Sequence, residues 1–320
     1  MNIHPLRPAQ DRPFKQVDVF TAEPYLGNPL AVVLDGTGLS TEEMQHFAHW
    51  TNLSETTFLL PPSASGAANG ADYRVRIFTP GSELPFAGHP TLGSCHAWLQ
   101  AGGSPKAKTE IVQECALGLV RIRREGARLA FAAPPLKRSN PSPALLAQVG
   151  AALGLKPQQI IAAQMLDNGP VWLGLLLDSH ETVLQLSPHH LDLKNLGQIV
   201  GVASVEAAQA ATTLIARSNR EARAFGPRPA DAASASWAPT ELEVRAFAAS
   251  AGINEDPVTG SFNASLAQWL IADGLAPRSY VAAQGICLGR AGRVHIEQDD
   301  NGQVWVGGDS VTCIDGQVSL

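Results

Sequence analysis

The sequence predicts an α+β chain made of two similar halves. Three observations carry that expectation. The length, 320 residues, exceeds the size at which one core usually stops growing. Short β-branched runs alternate with a few Ala- and Leu-rich stretches of helical character. Most telling, the chain echoes itself at a nearly constant offset.

The echoes are specific. Val75-Arg76-Ile77-Phe78 precedes Gly88-His89-Pro90-Thr91-Leu92-Gly93-Ser94, and Val244-Arg245-Ala246-Phe247 precedes Glu255-Asp256-Pro257-Val258-Thr259-Gly260-Ser261. Both copies read V-R-x-F, then a polar residue followed by P-x-x-G-S. Phe78 and Phe247 are 169 positions apart, Pro90 and Pro257 are 167 apart, and a third echo, Leu117-Gly118 against Leu288-Gly289, is 171 apart. Each P-x-x-G-S opens an Ala/Leu/Trp-rich run that ends at Gly102 or Gly274, the pattern of a buried helix with a glycine stop.

Taken in order, residues 17–20, 31–34, 56–60 and 73–77 read as strands of the first half, and residues 171–177, 213–216 and 304–306 as strands of the second. An amphipathic helix is expected in each half, near residues 41–50 and 188–200. Ser40 is placed to cap the first, with Glu43 as its capping-box partner. The proline-rich residues 134–143 read as the connection. This divides the chain into residues 1–135, a linker at 136–143 and residues 144–320, with the last strand expected to cross back to the first unit. Residues 219–239, rich in Pro, Ala and Ser, read as a long loop.

Composition narrows the function classes. Hydrophobic residues make up 45% and charged residues 16%, so there is ample material for a core. The net charge of −6 argues against a nucleic-acid partner. The one dense basic run, Arg121, Arg123, Arg124 and Arg128, alternates along a strand and reads as a solvated sheet face. Cys95, Cys115, Cys287 and Cys313 form no C-x-x-C pair, which fits a reducing compartment and makes the cytoplasm the expected location. No apolar run approaches the roughly 20 residues that span a bilayer, and residues 1–15 lack a leader-like apolar stretch, so no membrane partner is expected.

The chemistry-bearing residues lie at the repeats. A helix start carries unpaired N–H groups and a partial positive charge. If a pseudo-two-fold brings both starts to one cleft, they form an anion cradle suited to a carboxylate or an enolate-like intermediate. His89 and Asp256 occupy equivalent positions there, where each could cap its helix or bind substrate and relay protons. Glu55 by itself is an ordinary helix–strand junction residue, and Gly27-Asn28-Pro29 an ordinary turn.

Gly27-Asn28-Pro29, Ser54-Glu55-Thr56, Phe86-Ala87-Gly88-His89-Pro90-Thr91, Glu255 to Ser261, and Gln284-Gly285 with Gly289-Arg290 together resemble the PhzF-like family in order and spacing over nearly the whole chain. The resemblance implies a fold similar to diaminopimelate epimerase, in which two pseudo-two-fold related domains each wrap a curved, mostly antiparallel sheet around a central helix. It implies an isomerase with no metal or organic cofactor, a small carboxylate-bearing substrate and a homodimer. Residue by residue, it implies Glu55 as general acid/base, with His89 and Asp256 completing the catalytic set. Asn28, Gly88, Thr259, Gly260 and Ser261 would bind substrate. Phe262-Asn263 departs from the family pattern, and this raises the expectation of an altered substrate-facing wall.

Three other readings compete. Racemases of related fold use one thiol per helix start, but no cysteine lies at either start here. A serine hydrolase built on Ser261 lacks the G-x-S-x-G elbow. A binding or scaffold protein without turnover would not require Glu55, His89 and Asp256 together.

Overall fold

The computed structural model describes residues 9–205 and 240–320. The strand expected at 213–216 and the loop expected at 219–239 lie outside the described residues. The first half comprises β1 (Asp11–Val19), β2 (Asn28–Val33), α1 (Thr41–Thr51), β3 (Glu55–Leu60), α2 (Ala64–Ala68), β4 (Tyr73–Phe78), β5 (Glu83–Leu84), α3 (Gly88–Gln100), β6 (Glu110–Cys115), β7 (Gly118–Glu125) and β8 (Arg128–Ala132). There follow β9 (Lys137–Ser139), α4 (Pro143–Leu153), β10 (Ile160–Asp167), β11 (Val171–Leu177), α5 (His180–Gln185), α6 (His190–Asn195), β12 (Ile199–Val205), β13 (Leu242–Ala248), β14 (Ile253–Asp256), α7 (Gly260–Ala272), β15 (Ser279–Gln284), β16 (Gly292–Gln298), β17 (Val304–Gly308) and β18 (Ser310–Ser319).

The pairing pattern is written twice. One ladder runs β18-β1-β2-β3-β4-β6-β7-β8, with parallel steps only at β2/β3 and β4/β6. The other runs β9-β10-β11-β12-β13-β15-β16-β17, with parallel steps at β11/β12 and β13/β15. Each ladder is closed by a strand that follows the other half in sequence: β9 leaves β8 to pair with β10, and β18 leaves β17 to pair with β1. The antiparallel pair β8/β17 joins the two ladders.

Each ladder wraps one helix. The first ten residues of α3 are buried except His96, and ten residues of α7 are buried. Helices apolar on all sides belong inside a core. The core around them runs through both halves, with Phe86 against Phe131 and Trp172 against Phe262. The outer faces are covered by α1 in the first half (Met44 and Phe47, against Phe58 of β3) and by α4, α5 and α6 in the second (Val149, Val183 and Leu193). No helix among the described residues is long and apolar enough to cross a membrane.

Local rules explain most boundaries. Ser40 accepts from the Glu43 N–H, and Glu43 accepts from the Ser40 N–H at 2.7 Å, the expected capping box. Arg121, Arg123 and Arg124 of the basic run fall on β7 and Arg128 opens β8; Arg121 pairs with Glu110 and Arg123 with Asp299, both guanidiniums lying over the Trp305 ring.

One expectation is corrected, and the stretch read as a linker carries structure of its own. The stretch read as a linker holds β9, and its last proline is the first residue of α4, capped by Ser142. Proline is tolerated there because that N–H would be unpaired anyway. The helix expected at 188–200 covers only α6; Gly197, at φ +65°, stops it. The β-branched residues that follow form β12 between β11 and β13.

Candidate active site

The two central helices meet start to start. A Cβ built on Gly88 would stand 2.8 Å from the Gly260 Cα, and one built on Gly260 equally close to the Gly88 Cα. Neither helix has a side-chain cap: Ala87 and Thr259, the flanking residues, donate no oxygen to the first turn. The first intrahelical bonds are those of the Thr91 N–H to the Ala87 carbonyl and of the Asn263 N–H to the Thr259 carbonyl. The N–H groups of Gly88, His89, Gly260, Ser261 and Phe262 precede them, so two positive helix ends converge at one place.

The acids and the histidine gather at this junction. Glu55 is the first residue of β3 and the register partner of Leu30, which lies in the core around α3, so Glu55 projects from the concave face. Its Oε2 is 3.3 Å from His89 Nε2, with the two side chains 13% and 4% exposed. Asn28 ties the halves together. Its Nδ2 donates to Asp256 Oδ1 at 2.9 Å and to the Val258 carbonyl at 2.8 Å, and lies 3.3 Å from His89 Nδ1. The Val258 carbonyl can only accept, which fixes the orientation of the amide. Thr259 Oγ1 donates to Asp256 Oδ2 at 2.6 Å.

The turn that presents Asn28 is itself constrained. The Gly27 N–H donates to Asp18 Oδ2 at 2.9 Å, and a Cβ on Gly27 would stand 2.2 Å from the Val19 carbonyl oxygen, so only glycine fits. Glu255, beside Asp256 in sequence, is turned away into a two-point pair with Arg245, both bonds 2.8 Å. Ser261 uses its hydroxyl to accept from Trp172 Nε1–H at 3.2 Å.

Residues outside the expected set complete the frame. Gln284, at the end of β15, accepts from the Thr259 N–H at 3.0 Å and from Asn263 Nδ2 at 2.9 Å. Its own amide nitrogen, Nε2, donates to the Asp256 carbonyl and to Thr259 Oγ1. The sequence motif contained Gln284 without revealing its task, because its partners lie more than twenty positions away. Phe262 is no substrate-facing wall. It is fully buried against Trp172, and its ring sits where Gly201 leaves room on β12.

Burial sets the protonation states. Burial first, and then the charge of Asp256, push Glu55 well above the usual carboxylate range. Burial raises Asp256 to about 6, against the hydrogen bonds from Thr259 and Asn28. Burial lowers His89 to about 3, so its ring is neutral near pH 7. Glu55 Oε2, His89 Nε2 and Asn28 Oδ1 are buried without a hydrogen-bond partner among the described residues. The arrangement can therefore hold an anion at the helix ends and move a proton at Glu55.

Two half-barrels joined at their helix starts, with acids and a histidine at the joint, define a class of protein. The chain belongs to the phenazine biosynthesis-like (PhzC-PhzF) family, whose model matches residues 17–316. Among its relatives is antisense-enhancing sequence 1 of Schizosaccharomyces pombe, 34% identical and covering 95% of this chain and 97% of that one. Another is trans-2,3-dihydro-3-hydroxyanthranilate isomerase of Pseudomonas aeruginosa, 31% identical over 95% of this chain and 98% of that one. The crystal structure of a PhzF-family phenazine biosynthesis protein from Bacillus anthracis shares the fold, with a TM-score of 0.75 at 20% identity, covering 97% of this chain and all of that one.

Proposed function

We propose that this protein is an isomerase that moves a proton between two carbons of a small carboxylate-bearing substrate, with Glu55 as general acid/base. The observation that carries the reading is the position of Glu55, beside His89 and on the concave face, next to two uncapped helix starts. The substrate carboxylate sits against the N–H groups at Gly88-His89 and Gly260-Ser261, where both helix dipoles favour it. Glu55 as carboxylate takes a proton from a carbon next to an activating group. The electron pair left behind delocalises into an enolate-like system, and Glu55, whose proton exchanges with solvent between the two steps, returns a proton at a second carbon. The reaction balances without oxidant, reductant or added group.

The raised Glu55 suits the task, because a general acid/base works best with a pKa near the working pH. Neutral His89 and the hydrogen-bonded Asp256 flank the reacting region and exchange protons with it. The name of the Pseudomonas aeruginosa relative supports both the reaction class and a carboxylate substrate.

The test is incubation of the purified protein in D2O with trans-2,3-dihydro-3-hydroxyanthranilate and a panel of small cyclic carboxylic acids, followed by NMR. Isomerisation with deuterium entering at carbon supports the reading. A second reading, a binding protein on the same fold, is favoured by the non-catalytic name of the Schizosaccharomyces pombe relative. Saturable binding with no exchange at carbon for any bound acid would select it.

A further inference from the structure

A cleft of about 530 Å³ opens on the outer face of the first half, between α1, the turn that precedes it, and strands β3 and β4. Leu39, Met44 and Leu60 give it apolar walls, and Arg74 and Arg76 bring two guanidinium groups to it. The size lies in the range of small-molecule sites, roughly 300–1,000 Å³.

The two arginines differ in their commitments. Arg76 donates to both oxygens of Glu83, at 2.7 and 2.6 Å, and to Thr41 Oγ1 at 3.0 Å. Arg74 is in no ion pair among the described residues, and its Nε–H is buried without an acceptor. The acid that stands opposite it on β6, Glu114, is engaged elsewhere: its oxygens accept from the Ser63 hydroxyl at 2.6 Å and the Ser63 N–H at 2.8 Å.

The duplication shows that this imbalance belongs to one half only. Arg74-Val75-Arg76 corresponds to Glu243-Val244-Arg245. In the second half the acid Glu243 feels the charges of Arg293 and Arg245, so cation and anion offset one another. In the first half the equivalent position carries a cation. A half-buried guanidinium without a counter-charge is costly unless an anion meets it.

We propose that this cleft is a second binding site, separate from the Glu55 site, for a small monocarboxylate with an apolar body. The carboxylate pairs with Arg74 and the body lies along Leu39, Met44 and Leu60. The planar fork of Arg74 matches a carboxylate in two-point geometry. One uncommitted guanidinium suits a single negative charge. The start of α1 adds no free donors, because Ser40 and Glu43 already close it.

A ligand-detected NMR titration with 4-phenylbutyrate tests the proposal, with 4-phenylbutanol and inorganic phosphate as comparisons. Saturable binding of 4-phenylbutyrate is expected in the wild type and in Glu55→Gln. Arg74→Gln should weaken it about ten-fold or more, the scale of one lost charge-assisted hydrogen bond, and Arg74→Lys should retain part of it. The alcohol and phosphate should bind at least about ten-fold more weakly than the acid. Leu39→Trp, at a half-buried position of the wall, fills the cleft without touching the charge; it should also abolish binding and stands in should Arg74→Gln fail to fold. The proposal is overturned by an absence of saturable binding, by unchanged binding in both Arg74→Gln and Leu39→Trp, or by equal binding of phosphate. Loss of binding in Glu55→Gln also overturns it, since that would place the ligand in the active-site cleft.

Discussion

Gly88 and Gly260 touch backbone to backbone, each occupying the space that a side chain on the other would need. This contact is where the two halves of the duplicated chain meet. It also holds the two uncapped helix starts side by side.

Replacing either glycine by alanine forces two backbones apart. Gly88→Ala and Gly260→Ala should each destabilise the fold by about 1–3 kcal/mol, the usual scale of overpacking. Turnover should fall as well, because the displaced helix starts no longer address the same carboxylate. Urea unfolding of the two variants checks the first expectation, and wild-type stability in both would contradict the close contact.

Two buried ionisable groups act on stability in opposite directions over the same pH range. His89 is held at about 3, below its unfolded value, so the unfolded chain takes up the proton first as pH drops. The stability this represents is present above the unfolded histidine value of about 6.5 and is lost as pH falls toward 3. Asp256 is raised to about 6, so the opposite sign applies. Its contribution is present below the unfolded value of about 3.9 and is lost as pH rises through 6. His89→Asn should therefore make stability fall more steeply with rising pH between about 4 and 6, and Asp256→Asn should make it rise more steeply over the same range. Unfolding free energies measured across that range decide both; unchanged slopes would show that these groups titrate alike in folded and unfolded chains.

The four thiols should be dispensable. Burial raises the pKa of every one of them, to about 12 for Cys95, so none is poised as a thiolate. Cys95 lies inside α3 beside Tyr73, and exposed Cys287 lies near the Leu184 carbonyl, so neither stands at a helix start. A variant with all four replaced by Ala or Ser should keep its turnover, less any loss of stability at buried Cys95 and Cys115. Inactivation by iodoacetamide that follows alkylation of a single cysteine would oppose this.

Much of this architecture was legible because the duplication repeats local signals. The strand at residues 171–177 matches β11 end to end, and Ser40 with Glu43 fixes the start of α1, since both depend on neighbouring residues alone. What escaped depends on distant partners. Prolines around β9 and α4 read as a linker, although Lys137–Ser139 pairs with Met165 to Asp167 far along the chain. The expected helix near 188–200 runs on past Gly197 into Ile199-Val200, which open β12 between β11 and β13. The PhzF-like motifs pointed to Glu55, His89 and Asp256 as a set. Nothing local indicated that Asn28 would bridge to Asp256 across 228 positions, or that Gln284 would brace Thr259.

The central claim is that Glu55 carries the proton, and the most direct measurement of it is deuterium incorporation at carbon during turnover in D2O, followed by mass spectrometry for the wild type and for Glu55→Gln. Glutamine keeps the size and the neutral form of the side chain but cannot accept the substrate's proton. The account predicts one deuterium at a single new C–H position with the wild type. In Glu55→Gln, exchange and turnover should both be slower by about 10²- to 10⁴-fold, with substrate binding retained. Incorporation by Glu55→Gln at the wild-type rate would contradict it and move the acid/base role to another residue.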